Sequence, residues 1–364
     1  MLDAIRNLWS LIYNLFPNLA QALAAFLRGT GLPGWGVDLL MALLSALVVV
    51  ISVLLGMLGM TLMERKVMGR MQNRLGPNRV GPLGLLQPIA DAIKFLIKED
   101  IVPTNADRWV HTLAPIVAAI PAVLVYAVIP FGKGMAAADL NIGVLYILAV
   151  SSITTIGIVM AGWASNNKYS LLGGMRAAAQ IISYEVPLVL SMLVAVMLAG
   201  SLSLGKIVEA QGGLLGILGW NVFRVPFGTL AFLTYMICAV AELNRTPFDL
   251  PEGESEIVTG YITEYSGLKW GLFYLGEYFN AIAVSAIATT LFLGGWQGPI
   301  LPPYVWFLGK VLVIVFILIW LRSTLPRFRV DQLMGFAWKV VLPIALVNIF
   351  VTGAAITLWQ AFVK

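Results

Sequence analysis

Residues 38–63 read DLLMALLSALVVVISVLLGMLGMTLM, and residues 64–84 follow as ERKVMGRMQNRLGPNRVGPLG. The first stretch holds one charged side chain, Asp38. A bilayer's hydrocarbon core is about 30 Å thick and is crossed by about 20 apolar residues in a helix. The second stretch places five basic residues between Arg65 and Arg79 with no acid among them, and its Gly76-Pro77 and Gly81-Pro82 pairs are turn signals. A membrane helix that ends on a basic, turn-rich loop is the reading. Working outward, seven further runs match the first: 112–131, 141–163, 178–200, 226–242, 272–294, 304–321 and 338–360. They are continuous rather than alternating, which disfavours a barrel. Backbone groups in lipid must be satisfied within the chain. The predicted fold is therefore an all-α integral membrane bundle of about eight spans, a single polytopic domain over 1–364.

Composition agrees. Hydrophobic residues make up 60% of the chain and charged ones only 11%. Soluble domains have about 45–50% and roughly 25%, so there is too little polar surface for a soluble particle. A disulfide scaffold and a disordered chain are excluded on the same counts. The only cysteine, Cys238, cannot hold an iron–sulfur cluster, and the only histidine, His111, cannot supply paired imidazoles to a haem or structural zinc. No phosphate-binding glycine loop is present. The chain is expected to bind no metal or cofactor of its own and no nucleic acid.

The small charge complement is segregated. Eight spans put loops 64–111, 164–177, 243–271 and 322–337 on one side, and these, with the adjoining span ends, hold 16 of the 23 basic residues. The positive-inside rule makes that side cytoplasmic. Residues 1–37 are less decided. The apolar stretch 8–27 is broken by Asn14, Pro17, Asn18 and Gln21. An interfacial helix is the first expectation, and a ninth span or a cleaved signal segment stays open. No internal repeat matches the long 64–111 loop, which counts against a two-fold transporter.

Within that loop, Gln87, Asp91, Lys94 and Lys98 fall on one helical stripe of 83–99. Leu85, Leu86, Ile89, Ile93, Leu96 and Ile97 lie largely opposite. This predicts an amphipathic helix in the interface plane, an anchor or a roof over a passage for an amphiphilic ligand. Asp91 is placed to pair with Lys94 at i+3.

Several acids sit at similar depth: Glu64 and Glu242 at the ends of their spans, Glu277 about five residues inside its run, and Glu185 about seven. Ionised carboxylates in hydrocarbon face the bundle interior, pair or take a proton, so a cluster of them is suited to holding and passing protons. Each also has a plainer reading as an interfacial acid beside an arginine. The 243–271 loop is acidic after Arg245, with Asp249, Glu252, Glu254, Glu256 and Glu264. Thr246-Pro247 with Asp249 reads as a helix start, and the loop is either simply solvated or a charged funnel to the buried acids. The last loop brings Arg322, Arg327 and Arg329 with Asp331, as anchors or as partners for the carboxylates.

These motifs stand in a recognisable order: MERK (63–66), RLGPNRVGP (74–82), GLLQPIADAIK (84–94), QIISYE (180–185), AELNRTPFDLPEGESE (241–256) and PRFRVDQL (326–333). The chain resembles the NADH dehydrogenase subunit 1 family of respiratory complex I, whose bacterial members are its H-type membrane subunits. The resemblance runs from about residue 38 to 360, leaving the longer 1–37 segment unexplained. It implies a translocase subunit at the heel of the membrane arm of the bacterial inner membrane, forming the quinone tunnel. It implies a proton-coupling route through Glu64, Glu185, Glu242, Glu252, Glu254, Glu256, Glu264 and Glu277. Asp91, Arg65, Arg245, Arg322 and Arg327 match residues that line the chamber or hold its loops. Quinone is then the substrate. Flavin and iron–sulfur clusters belong to partner subunits of the peripheral arm, and other membrane-arm subunits and the lipid bilayer adjoin. The equivalent membrane subunit of an energy-converting hydrogenase is a second reading, and a stand-alone proton-coupled transporter a third.

Overall fold

The computed structural model describes residues 15–29, 33–213, 218–251, 253 and 257–363. Among these there is helix and no strand. Helix α1 (Leu15–Gly29) has 15 residues, about 22 Å of rise, less than the hydrocarbon core, and its Phe16 ring meets Tyr304 edge-on at 5.2 Å. Residues 8–14 of the predicted N-terminal segment lie outside the described residues. Helix α2 (Gly34–Met71) carries the decisive first run, and α3 (Gln87–Ile97) the predicted interfacial helix. The following elements are α4 (Arg108–Leu124), α5 (Gly143–Ser151) continuing through Ser152 into α6 (Ile153–Ala164), α7 (Lys168–Ala199) and the short α8 (Leu204–Ala210). Next come α9 (Phe227–Glu242), α10 (Gly267–Phe292), α11 (Pro303–Thr324), α12 (Val330–Phe336) and α13 (Leu342–Val363), the last two joined by a π-helical turn at Ala337–Val341.

All eight predicted runs fall on helices. Seven of these are long and apolar enough to cross a membrane. The eighth, α9, has 16 residues, and its Ala231, Tyr235, Cys238 and Ala239 are buried among neighbours rather than facing lipid. The helix ends run further than the apolar runs. α2 continues through Glu64, Arg65, Lys66 and Arg70, because these are good helix formers and nothing interrupts them before Gly76-Pro77. α7 starts at Lys168, where Asn167 caps it by accepting from Tyr169 N at 2.9 Å. Apolarity measures where lipid begins, whereas helix propensity sets where the helix ends.

α10 is the central element. It is buried along most of its length, with Phe273, Tyr278, Ala281, Val284, Leu291 and Phe292 in the core, and it carries few polar side chains, among them Glu277 and Asn280. α2, α4, α9 and α11 surround it. The loop after α2 folds back on that helix. Gly84 has φ +77°, and a Cβ there would lie 2.2 Å from the Pro77 carbonyl oxygen. That contact closes the loop just before α3, and Gly76, where a Cβ would lie 2.9 Å from Lys66 Cα, lays the loop against α2. Ile89, Ile93, Leu96 and Ile97 then point outward and exposed, while Asp91 faces the bundle. An outward apolar face is what an interfacial helix presents to acyl chains.

Two local expectations are corrected. No helix starts at Thr246-Pro247: residues 243–251 form a run of turns, with Phe248 N bonded to Arg245 O at 2.8 Å. The turn's carbonyls are taken by other elements instead: Phe248 O accepts from Gln180 of α7 at 2.7 Å and Pro247 O from Phe328 N at 3.1 Å. Asp91 does not pair with Lys94; it pairs with Arg65 of α2.

Candidate functional site

Four helices, α2, α9, α10 and α11, meet around one arginine. The turn after α9 sends the Arg245 side chain, 2% exposed, between α2 and α10. Its Nε donates to Glu277 Oε1 at 2.9 Å, and its Nη1 lies 3.4 Å from Glu64 Oε2. Glu64 Oε1 accepts from Arg322 at the end of α11. Glu64 is itself 1% exposed, so its ionised form depends on these two cations. The Arg245 guanidinium sits over the Tyr278 ring at 4.9 Å, and Tyr274 donates to the Tyr278 hydroxyl at 3.0 Å. Burial works against the charge on Arg245, but Glu277 and Glu64 outweigh it and hold the guanidinium above its ordinary range.

Two cavities flank this cluster. The larger, about 820 Å³, is enclosed by α2, α3, α10 and the 259–266 loop. Its wall is mainly apolar (Leu54, Leu58, Phe95, Trp270, Leu275), with Arg65, Asp91, Lys94 and Lys98 as its charged residues. Arg65 donates to Asp91 Oδ2 at 2.5 Å, and Gln87 donates to Asp91 Oδ1 at 3.2 Å. Ligand pockets are typically 300–1,000 Å³, apolar, with a few placed polar groups. The smaller cavity, about 70 Å³, is lined by Glu242, Glu277, Asn244, Asn280, Ser151 and Thr154. That is room for a few water molecules. Tyr274 borders both cavities. Glu185 on α7 is an electrostatic neighbour of Glu242.

Of the predicted acids, the structure thus joins Glu64 to Glu277 through Arg245, puts Glu277 and Glu242 on one cavity, and sets Glu185 beside Glu242. Glu264 is elsewhere, accepting from Asn167 at the start of α7 at 2.6 Å. Glu252, Glu254 and Glu256 lie outside the described residues. Of the predicted tunnel residues, Arg65 and Asp91 line the larger cavity. Arg245 and Arg322 bind the buried glutamates instead, and Arg327 donates to Leu250 O at 3.4 Å and lies against Gly253, holding the acidic loop. His111 is buried in the first turn of α4, its ring stacked on Tyr265 at 4.0 Å.

A sequence model of the family described as NADH dehydrogenase matches residues 44–353. The chain belongs to the NADH dehydrogenase subunit 1 family. Among its curated relatives, the H-type subunit of the NADH-quinone oxidoreductase of Dehalococcoides mccartyi (strain CBDB1) is 60% identical over 291 residues, 80% of each chain. The equivalent subunit of Geobacillus kaustophilus (strain HTA426) is 53% identical over 333 residues, covering 90% of this chain and 97% of the relative. That of Geobacter metallireducens (strain ATCC 53774 / DSM 7210 / GS-15) is 54% identical over 299 residues, 80% and 88%.

Within this family's fold, the motifs quoted for the resemblance converge: MERK supplies Glu64 and Arg65, the Gly-Pro loop seats α3, and AELNRTPF supplies Glu242 and Arg245. Sequence reasoning missed Tyr274 and Tyr278. Their i, i+4 spacing from Trp270, continued to Glu277, was a legible signal, since an aromatic ladder ending beside an acid in an apolar helix is unusual. It also missed Lys310, the one charged residue within the 304–321 run. Lys310 Nζ donates to the carbonyls of Leu293, Gly295 and Gln297 at 2.6, 2.9 and 2.7 Å. It caps the C-terminus of α10 at the end opposite the glutamates.

Proposed function

We propose that this chain is the membrane subunit of an NADH-quinone oxidoreductase in which quinone chemistry is coupled to proton movement. The observation that carries the reading is the shared wall of the two cavities. An apolar chamber sized for an amphiphilic ligand meets, at Tyr274, a polar chamber bordered by Glu242 and Glu277. The isoprenoid quinone enters beneath α3, whose apolar outer face lies in the membrane interface, and its headgroup passes the Arg65–Asp91 pair. Charge arising at the headgroup acts on the Glu64–Arg245–Glu277 cluster, where two arginines hold two acids with little solvent to screen them. Protons then pass along Glu242 and Glu185, with water in the smaller cavity between carboxylates. The acids of the 243–271 loop extend this route toward the aqueous side.

The chain provides binding, orientation and proton transfer, whereas NADH oxidation, flavin and iron–sulfur clusters reside on peripheral-arm subunits docked over the basic loops. Those loops face the cytoplasm of a bacterial inner membrane, and further membrane-arm subunits adjoin the bundle.

A bulky replacement of Ala92, which lines the larger cavity, tests the assignment. Ala92→Trp in the assembled complex is expected to raise the quinone KM several-fold and weaken quinone-site inhibitors, with NADH oxidation by a water-soluble artificial acceptor unchanged. Unaltered quinone KM and inhibitor affinity would refute it.

A further inference from the structure

Gln180 lies on α7, five residues before Glu185, and is fully buried. Its Nε2 donates to Ala241 O at 2.8 Å and Phe248 O at 2.7 Å, and Asn244 Oδ1 is 3.1 Å away. Three acceptors around one atom require nitrogen there; an oxygen would face only lone pairs. All three acceptors belong to one stretch, which begins beside Glu242, passes Arg245 and ends at the aromatic ring of Phe248. That stretch has little regular structure of its own. Asn244 has φ +51°, and the turn is closed by Asn244 N to Ala241 O at 3.2 Å, Arg245 N to Val240 O at 3.4 Å and Phe248 N to Arg245 O at 2.8 Å, with Phe328 N donating to Pro247 O at 3.1 Å. These bonds tie the turn to α9 and to the 326–329 segment, and Gln180 ties it to the helix that carries Glu185.

We propose that Gln180 is the positioning residue that fixes the Arg245 turn to α7, holding the Glu64–Arg245–Glu277 cluster in register with the Glu185–Glu242 pair. The inference rests on the proton-coupling role proposed above. Gln180 touches neither cavity, so its effect is transmitted through the backbone carbonyls and not through substrate. Tyr184 also packs edge-on against Phe248 at 5.4 Å, so the Gln180 variants keep one contact between α7 and the turn and are expected to assemble with the turn less firmly placed.

The test uses Gln180→Leu, which removes the donor, and Gln180→Glu, which keeps the shape but turns an acceptor toward three acceptors. Each is measured in the full complex, normalised to NADH oxidation by an artificial acceptor. The expected result is a fall in quinone-turnover kcat of roughly tenfold, the scale set by leaving buried acceptors unsatisfied. A displaced pH profile, fewer protons moved per electron and an unchanged quinone KM accompany it. Native kcat and pH profile at equal assembly overturn the proposal. So does a loss confined to the amount assembled in both variants, which makes Gln180 a folding residue only. Arg245→Lys and Glu242→Gln are run alongside. If they too leave turnover and proton movement untouched, the proton-coupling reading itself fails. If they alter both while the Gln180 variants do not, only this inference fails.

Discussion

Replacing Arg245 by methionine removes the cation shared by two acids while keeping much of the side chain's volume. At N···O separations of 2.9 Å to Glu277 and 3.4 Å to Glu64, an effective dielectric near 20 gives gross attractions of about 6 and 5 kcal/mol. Desolvating the guanidinium consumes several kcal/mol of that, and breaking a buried pair typically costs about 3–5 kcal/mol net. Glu64 keeps Arg322, whereas Glu277, 25% exposed, loses its cation. The cost therefore falls near the lower figure, about 3 kcal/mol. Most of it is the orphaned charge on Glu277, so Arg245→Met with Glu277→Gln should recover much of the loss. A double-mutant cycle on thermal unfolding of the purified complex checks this, with the single variant lowest, the double intermediate and the native highest. Neighbouring acids raise the guanidinium pKa, so its stabilising contribution is complete below the ordinary arginine value and is lost only as pH rises through the higher folded value. The deficit should accordingly be constant across the neutral range. A double variant no more stable than Arg245→Met would refute the claim that Glu277 is the group left unpaired.

Lys310→Met should destabilise the complex by about 2 kcal/mol, since one buried and two part-buried carbonyls lose their donor; quinone turnover per assembled complex should stay native, because the clamp lies at the far end of α10. Gly84→Ala should lower the melting temperature and weaken quinone-site inhibitors together: the positive φ costs about 1–2 kcal/mol, and the Cβ would strike Pro77 O and lift α3. Glu185→Gln with Glu242→Gln should assemble normally and lower coupled quinone turnover and proton movement; normal pumping in the double variant would sink the proposed route.

What the sequence disclosed follows from which forces are local. Hydrocarbon acts on each residue separately, so eight apolar runs can be read directly, and the outward apolar face of α3 follows from spacing alone. Arg245 shows the limit. It lies in a loop, in a run of acids that suggests a solvated helix, and its partners Glu64 and Glu277 stand on helices far away in the chain. Only the crossing of α2, α9 and α10 makes it the buried centre of the cluster. Asp91 shows the same thing at shorter range: the i+3 lysine is adjacent on the helix, but Arg65 is closer to the direction Asp91 faces once the apolar stripe is turned outward. The apolar stripe of α3 faces outward, and with it outward Asp91 turns to Arg65, so the polar wall of the larger cavity goes with the apolar outer face. A charge scarcity of 11% is the global form of the same constraint. Charges are kept where a partner across the bundle can neutralise them, as at Glu64, or where backbone carbonyls can, as at Lys310. Such partners are set by tertiary packing and leave no periodic trace in the chain.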